Sequence, residues 1–438
     1  MRRLSPLLRG PIIMTAGRLF LRLIGIYFQS EISKVMGAEG MGLLTLGMNV
    51  EALAVTLGTS GIHYSTTRLL SEELGLERPE RLRSTLRCCL GYALLFGSIA
   101  AVLLCILSPT LSRFAGDERL RLSFRCFAAG IPFLALNAVF TGYFVAVLTP
   151  WKGLVSQTAE QILLTVLTLL LLRRVPSGRP DLCCAVVAAS GAAADLLSLL
   201  LSYILYIMTE KRRFSMRLPS RVILPRLLRL SLPLALSSYA RTALSSLQHL
   251  LVPKALRRSG YDSAAALAVY GTVSGMVFPV LTFASVFFGA LSEMLIPKLT
   301  DAQMRGDRAE MERSGGRILS ACLLFSAAVS LLLYLFGPWL GQRLYQSKDA
   351  GTYIRVLSPL VTVMYLDSVV DGMLKGLGLQ LNSMKNNLID AALTLCCVCT
   401  LLPRFGTTAY IGILYFSECF NFLLSFLRLR RNLTIRFL

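Results

Sequence analysis

The sequence predicts an all-α, polytopic membrane protein, and three observations lead to this fold class. The chain has 438 residues, of which 55% are hydrophobic, and its mean hydropathy is +0.63. Apolar runs of about 18 residues or more recur along its whole length, as helices that cross a hydrocarbon core of about 30 Å require. The lysines and arginines lie mostly in the short segments between these runs, where they orient membrane proteins and contact anionic headgroups.

These apolar runs predict about twelve membrane-spanning helices. Basic residues are more frequent in alternate loops, counted from the N-terminus, so both termini are predicted to be cytoplasmic. The predicted spans lie near residues 11–32, 42–62, 86–108, 124–147, 154–172, 183–208, 230–252, 266–290, 317–340, 353–374, 385–402 and 408–427.

A basic linker, EKRRFSMRLPSRVILPRLLR, follows the sixth span and divides the predicted helices into two groups of six. A weak internal similarity supports this division, since ISKVMGAEGMGLLTLG at 32–47 resembles VPKALRRSGYDSAAALAVYG at 252–271. Transporters built from two such repeats place their substrate site between the repeats, so we expect a central cleft. The predicted domains are an N-terminal six-helix lobe at 1–208, a basic cytoplasmic linker at 209–229 and a C-terminal six-helix lobe at 230–438.

Composition and motifs argue against several other classes of protein. The net charge of +21 is carried mainly by loops between spans, and no nucleic-acid-binding motif accompanies it, so we expect no nucleic-acid partner. With only two histidines, and with cysteines mostly inside apolar runs, the sequence predicts no metal site. It contains no Walker A loop, no HExxH motif and no Ser/His/Asp arrangement, so we expect neither an enzyme nor a bound cofactor.

The first predicted span contains two arginines, Arg18 and Arg22, four residues apart and therefore on one face of a helix. A charge at the centre of a bilayer costs at least ~2.5–3.5 kcal/mol, so an arginine there is expected to face protein or water. We therefore predict that this pair lines a polar cavity. The alternative is that the side chains extend to the cytoplasmic headgroups, which suits Arg18 better than Arg22.

Two further charged residues fall near the middle of predicted spans, Glu51 in the second span and Arg241 in the seventh. Together with Arg18 and Arg22 they form the predicted substrate-binding set. Arginine suits phosphate because its planar guanidinium donates two parallel, charge-assisted hydrogen bonds. The alternative for Glu51 is a salt bridge to Arg22 that locks the first two spans together.

The tenth predicted span contains Asp367, Asp371 and Lys375, at a spacing that places all three on one helical face. For Asp371 and Lys375 the simplest reading is a local ion pair, worth only ~0.3–0.5 kcal/mol. Asp367 lies one turn deeper without such a neighbour, so a cavity role or a cross-helix pair is expected. We list all three residues as candidates for ion coupling or for lining the cavity.

Six segments of the chain form a recognisable series: GAEGMGLL at 37–44, GIHYSTTRLLSEE at 61–73, LVPKAL at 251–256, YGTVSGMVFP at 270–279, LIPKLTDAQMRGD at 295–307 and the tenth-span region at 353–380. In this order they resemble prokaryotic polysaccharide exporters of the stage V sporulation protein B type. That group lies in the superfamily of lipid II flippases and multidrug and toxin extruders. The resemblance implies a two-lobed transporter that moves lipid-linked sugars by alternating access. It also implies cavity-lining roles for Arg18 and Arg22, whereas Arg241 is added from the polar seventh span.

The leading functional hypothesis is a flippase or exporter of a polyprenyl-diphosphate-linked saccharide, such as a peptidoglycan, spore-wall or polysaccharide precursor, in the cytoplasmic membrane. The expected partners are this cargo, membrane lipids and cell-wall synthesis enzymes, and the expected energy source is a Na⁺ or H⁺ gradient or the membrane potential. The alternative is a cation-coupled multidrug extruder of the same fold. Cavity arginines would repel its cationic cargo, whereas a cavity dominated by carboxylates would favour it.

Overall fold

The computed structural model describes residues 6–75, 81–176, 178–209, 220–285, 305 and 308–432. Every regular element in this described part of the chain is a helix. The first seven helices are α1 (Pro6–Thr59), α2 (Ile62–Gly75), α3 (Leu82–Ala115), α4 (Leu120–Ala146), α5 (Pro150–Leu172), α6 (Pro180–Thr209) and α7 (Ser220–Arg258).

The rest of the described chain is also helical. It comprises α8 (Ser263–Tyr270), a π-helical segment (Gly271–Val277), α9 (Phe278–Leu281), α10 (Arg308–Tyr345), α11 (Lys348–Leu357), α12 (Leu360–Gly376), α13 (Gln380–Thr400) and α14 (Leu402–Asn432). The end of the predicted 266–290 span lies outside the described residues, as does most of the 295–307 motif.

The predicted class of polytopic, all-α membrane protein is confirmed. Eight described helices are long and apolar enough to cross a membrane, and nine if α11 and α12, which are bent by 55° at their junction, form one broken span. The long stretch Met14–Gly75 counts once although it contains two predicted spans. Helices α7 and α13 are not among the eight or nine, and both carry charged residues within their predicted spans, such as Arg241 and Asp390. The count of twelve stays a prediction.

A glycine interrupts the 54-residue α1 between its two predicted spans. Gly37 has φ 68° and ψ −175°, a left-handed conformation that side chains with a Cβ rarely adopt. An unbroken helix of this length would extend about 80 Å, far more than a bilayer. Gly37 therefore lets the chain end one span and begin the next within the GAEGMG motif.

The described chain forms two compact units, which we describe separately. The first unit comprises Met1–Phe28 and Leu43–Leu250. In it, the amphipathic α2 buries its apolar face in a core with residues of α3, α4 and α7. This core includes Ile62, Leu69, Leu70, Leu86, Tyr92, Phe140, Tyr143, Phe144 and Leu227. Helix α3, by contrast, exposes the apolar side chains of Leu95, Val102 and Ile106, as expected of a helix that faces lipid.

The second unit comprises Gln29–Gly42 and Leu251–Leu438. A close helix crossing within it uses two glycines of the motifs quoted above. A Cβ on Gly271 would lie 2.2 Å from the Ala38 carbonyl oxygen, and one on Gly42 would lie 2.1 Å from the Leu267 carbonyl oxygen. The GAEGMG and YGTVSG motifs therefore contain the small residues on which this crossing depends.

Short hydrogen bonds hold the Gln29–Gly42 segment in the second unit. The Gln29 amide donates to the Gly275 carbonyl at 2.6 Å, and the Ser30 hydroxyl donates to the Leu344 carbonyl at 2.5 Å. The units are defined by packing, whereas the lobes at 1–208 and 230–438 were predicted by counting spans, and those lobe boundaries stay a prediction.

Candidate functional site

All four predicted substrate-binding residues lie in the first unit. Arg18 and Arg22 are on the part of α1 before Gly37, where Arg18 is exposed and Arg22 is half-buried. Glu51, on the part of α1 after Gly37, is half-buried, and Arg241 on α7 is exposed. The structure thus places the three arginines and the carboxylate on two helices of one compact unit.

No ion pair connects Glu51 to Arg18, Arg22 or Arg241 within the described residues. The alternative in which Glu51 and Arg22 form a salt bridge between the first two spans is therefore not what this structure shows. Among the described residues no arginine neutralises the Glu51 carboxylate, which lies on a membrane helix. Such a residue is expensive in a membrane unless it binds a proton, a cation or a polar ligand.

Polar contacts connect the second half of α1 to α7 around Glu51 and Arg241. The Ser246 hydroxyl donates to the Asn49 carbonyl at 2.8 Å, and the hydroxyls of Thr56 and Thr242 are 3.4 Å apart. A further hydrogen bond joins Ser60 to the Tyr239 hydroxyl. Glu51 lies between the first two of these contacts along α1, and Arg241 directly precedes Thr242. Glu51 and Arg241 therefore lie beside one row of polar contacts between α1 and α7.

A buried hydrogen-bonded network in the first unit was not predicted from the sequence. The Asn137 amide of α4 donates to the Ser198 hydroxyl of α6 at 2.8 Å and its oxygen accepts from Ser202 at 2.6 Å. Ser156 of α5 donates to the Ser198 carbonyl at 2.7 Å, and its hydroxyl oxygen lies 2.8 Å from that of Ser202. The available signal was the spacing of Ser198 and Ser202, four residues apart on an apolar helix with the buried Asp195 one turn earlier.

In the second unit, Asp371 and Lys375 of α12 form the local ion pair expected from their spacing, with 2.6 Å between the carboxylate and the ammonium. The Ser383 hydroxyl of α13 also donates to Asp371. Because Lys375 is exposed, this pair contributes little to stability. The geometry accounts for the Asp371 charge without any ligand.

Asp367 has different surroundings. Its Oδ2 accepts a 3.0 Å hydrogen bond from the Asn421 amide of α14. Its Oδ1 and the Asn421 Oδ1 are both buried, and neither has a hydrogen-bond partner among the described residues. Two adjacent side chains thus offer unsatisfied acceptor oxygens, which a proton or a hard cation would satisfy.

Other polar side chains of α13 and α14 lie on the same helices. Ser417 donates to both oxygens of Asp390, at 3.1 and 2.9 Å, and the half-buried Glu418 follows Ser417 in the chain. No group of three or more His, Cys, Asp or Glu residues is arranged to hold a metal ion in the ranges that the structure describes. A cation bound near Asp367 would therefore need amide, hydroxyl or backbone oxygens as well as carboxylates.

Comparison with known proteins adds to this geometry. A family model described as "Polysaccharide biosynthesis protein" matches residues 7–303. The chain is similar to Stage V sporulation protein B of Bacillus subtilis (strain 168), with 24% identity over 88% of this chain and 75% of that protein. It is also similar to sporulation protein YkvU of the same organism, with 20% identity over 83% of this chain and 82% of that protein.

Solved structures of transporters share the fold. The inward-facing conformation of a multidrug resistance MATE family transporter of the MOP superfamily aligns with a TM-score of 0.68 at 17% identity, over 94% of this chain and 98% of that one. An outward-facing conformation of such a transporter aligns with a TM-score of 0.64, over 98% of this chain and 95% of that one. The resemblance inferred from the sequence motifs is confirmed.

Proposed function

We propose that this chain, which belongs to the polysaccharide biosynthesis protein family, carries a polyprenyl-diphosphate-linked saccharide across the cytoplasmic membrane. The family match and the shared transporter fold support a membrane flippase or exporter. The single observation that supports the cargo is the presence of three arginines on α1 and α7 of one compact unit.

Arginine suits a diphosphate because its planar guanidinium donates two parallel, charge-assisted hydrogen bonds to phosphate oxygens. Arg22 is the best placed of the three, since it lies deeper in the predicted first span than Arg18 and is half-buried, whereas Arg241 is exposed. Glu51, without an arginine partner in the described chain, would accept hydrogen bonds from sugar hydroxyls. Arg18, Arg22, Glu51 and Arg241 form the proposed binding set.

Transport would proceed by alternating access, with binding on one side of the membrane and release on the other. The solved relatives described as inward-facing and outward-facing support this proposal, because the same fold accommodates both states. We further propose that both termini are cytoplasmic, as the basic-residue bias predicts. Cell-wall synthesis enzymes would supply or use the cargo.

For energy coupling, we propose Asp367 with Asn421 as the site of a proton or Na⁺. Two buried, unsatisfied oxygens make this pair a better candidate than Asp371, whose charge Lys375 already neutralises. Replacing Asp367 with Asn is expected to weaken the dependence of transport on an imposed gradient, while Asp371→Asn should leave it. If Asp367→Asn combined with Asp371→Asn keeps the full gradient dependence and lowers only the yield of folded protein, the proposed coupling role is wrong.

The cargo is tested in proteoliposomes that contain the full chain and a purified, fluorescent lipid-linked saccharide. Arg22→Ala is expected to abolish flipping, and Arg22→Lys to restore it only in part, because an ammonium lacks the bidentate guanidinium geometry. Arg174→Ala, at an exposed position just after α5, is the matched control for loss of one positive charge. The double variant Arg22→Ala, Glu51→Ala should remain inactive. If it flips cargo at the wild-type rate, Arg22 has a structural role.

The second candidate is a cation-coupled multidrug extruder, favoured by the solved relatives that are multidrug transporters. The same proteoliposomes loaded with a fluorescent organic cation distinguish the two. Gradient-driven movement of that dye, together with no flipping of any lipid-linked saccharide, would favour the extruder.

A further inference from the structure

One end of the second unit contains a closely packed pair of helices that fixes an exposed arginine. Helix α11 lies against α10 along a stripe of glycines. A Cβ on Gly341 would lie 2.2 Å from the Gly351 nitrogen, and one on Gly337 would lie 3.0 Å from the Arg355 nitrogen. The backbone of Arg355 is therefore held directly against α10, and its carbonyl accepts a 2.8 Å hydrogen bond from Ser358.

This packing places the Arg355 guanidinium over an aromatic ring of α10. Its central carbon is 4.6 Å from the centroid of Tyr334, and its Nη2 is 3.3 Å from the Tyr334 hydroxyl. Cation–π stacking fixes the plane of the guanidinium, and the single contact with the hydroxyl leaves most of its five N–H donors unused.

Arg355 has no carboxylate partner within 4.0 Å in the chain as described. Two arginines elsewhere near helix ends do have one, since Arg119 is 2.7 Å from Asp117 and Arg179 is 2.8 Å from Asp181. Arg355 thus combines a guanidinium stacked on a tyrosine with no carboxylate partner in the described chain.

The surroundings of Tyr334 are those of a lipid-facing helix. Leu335, Phe336 and Trp339 are 61%, 53% and 62% exposed, whereas Leu333, Gly337 and Gly341 form the one buried stripe of this part of α10. Tyr334 lies six residues before the end of the predicted 317–340 span, and Arg355 is the third residue of the predicted 353–374 span. An unpaired charge among exposed apolar side chains at this end of the predicted spans is unfavourable.

We propose that Arg355 and Tyr334 bind the phosphate of an anionic membrane phospholipid. The guanidinium would donate two parallel hydrogen bonds to the phosphate, the tyrosine would hold its plane, and the exposed flank of α10 would contact the acyl chain. The predicted orientation places this site at the outer surface of the membrane. The inference requires only that the chain spans a membrane, so it does not depend on the proposed cargo.

The test measures phospholipid retained by the purified full chain. The protein is reconstituted in nanodiscs of phosphatidylcholine with about one third phosphatidylglycerol and then extracted into a delipidating detergent. Native mass spectrometry measures the fraction of the protein that retains bound phosphatidylglycerol. We expect Arg355→Gln to retain phosphatidylglycerol about tenfold less well than the wild type, and Arg355→Lys to be intermediate. Arg174→Gln, which removes one exposed charge from the first unit, should match the wild type.

Two controls separate a loss of folding from a loss of lipid binding and distinguish a phospholipid from a polyprenyl diphosphate as the source of the bound phosphate. Tyr334→Phe keeps the ring and should retain most of the lipid, whereas Tyr334→Leu should lose it while eluting as a monodisperse peak in size-exclusion chromatography. Equal retention of phosphatidylglycerol by the wild type and Arg355→Gln would overturn the proposal. So would retention that depends on Arg355 only for added undecaprenyl diphosphate, which would assign the site to a polyprenyl cargo.

Discussion

A network of four charges in the first unit predicts an unequal response to two arginine substitutions. Arg226 of α7 is 2.8 Å from Glu72 and 3.2 Å from Glu73, both of α2, and Arg68 is 3.1 Å from Glu72. The Glu73 side chain is only 6% exposed, while that of Arg226 is 48% exposed. The Glu73 Oε2 has no hydrogen-bond partner among the described residues, so Arg226 is the main compensation for this buried charge.

Replacing Arg226 with Ala would leave Glu73 as a buried, unpaired carboxylate. Breaking a fully buried pair costs about 3–5 kcal/mol, and a lost hydrogen bond to a charged group about 1.5–3 kcal/mol. Because water reaches half of Arg226, we expect the lower part of this range, about 1–3 kcal/mol. At about 2–4 °C per kcal/mol for a unit of this size, that corresponds to a fall of about 2–12 °C in the apparent unfolding temperature.

Thermal unfolding in detergent, followed with a thiol-reactive dye, measures this change, because the thiols of Cys89 and Cys184 in the first unit are buried. Arg68→Ala is the matched control: it removes an arginine from the same network but leaves the Arg226–Glu73 pair, so no measurable shift is expected. Arg226→Ala combined with Glu73→Gln should recover most of the loss, since the orphaned charge is gone. Equal unfolding temperatures for Arg226→Ala and Arg68→Ala would refute the reasoning.

Three further predictions test the packing and the topology. Gly271→Ala should lower the unfolding temperature and the folded yield, by about 1–3 kcal/mol in stability, because its methyl group would meet the Ala38 carbonyl oxygen at 2.2 Å; an unchanged melting curve contradicts the close crossing. Asn137→Leu should destabilise the first unit by about 1–3 kcal/mol, as Ser202 loses its 2.6 Å acceptor, whereas Asn137→Asp should cost less. Single cysteines at 210–229 in a cysteine-free chain should react with membrane-impermeant maleimide only after cell lysis, and labelling in intact cells would reverse the predicted orientation.

The features that sequence reasoning predicted are those encoded locally. The apolar length of a span depends only on consecutive residues, and eight or nine helices of the described chain are long and apolar enough to cross a membrane. The Asp371–Lys375 pair was predictable for the same reason, because residues four apart on a helix are neighbours whatever surrounds them.

The contacts that sequence reasoning missed depend on which helices are neighbours. Asn421 is 54 residues from Asp367, and Ser198 is 61 residues from Asn137, so no periodicity in one helix relates the members of either pair. The same limit explains why the Glu51–Arg22 salt bridge, considered as an alternative from the sequence, does not occur in the part of the chain that the structure describes. Charge alone suggested that bridge, but side chains on two halves of a broken helix meet only if the bend directs them toward each other.

The distribution of intramembrane charge gives the two units different tasks within the proposed function. Helices α12 to α14 carry four carboxylates within their predicted spans, Asp367, Asp371, Asp390 and Glu418, against two lysines at span ends, Lys375 and Lys385. An excess of carboxylates is suited to a proton or a cation and would repel a diphosphate. The arginines of α1 and α7 lie in the other unit. If cargo and coupling ion bind to different units, acidic residues on membrane helices do not argue for a cationic cargo. Neutralising Asp367 should then weaken coupling without altering cargo selectivity, whereas Arg22→Gln should reduce affinity for the diphosphate and leave the response to the ion gradient intact.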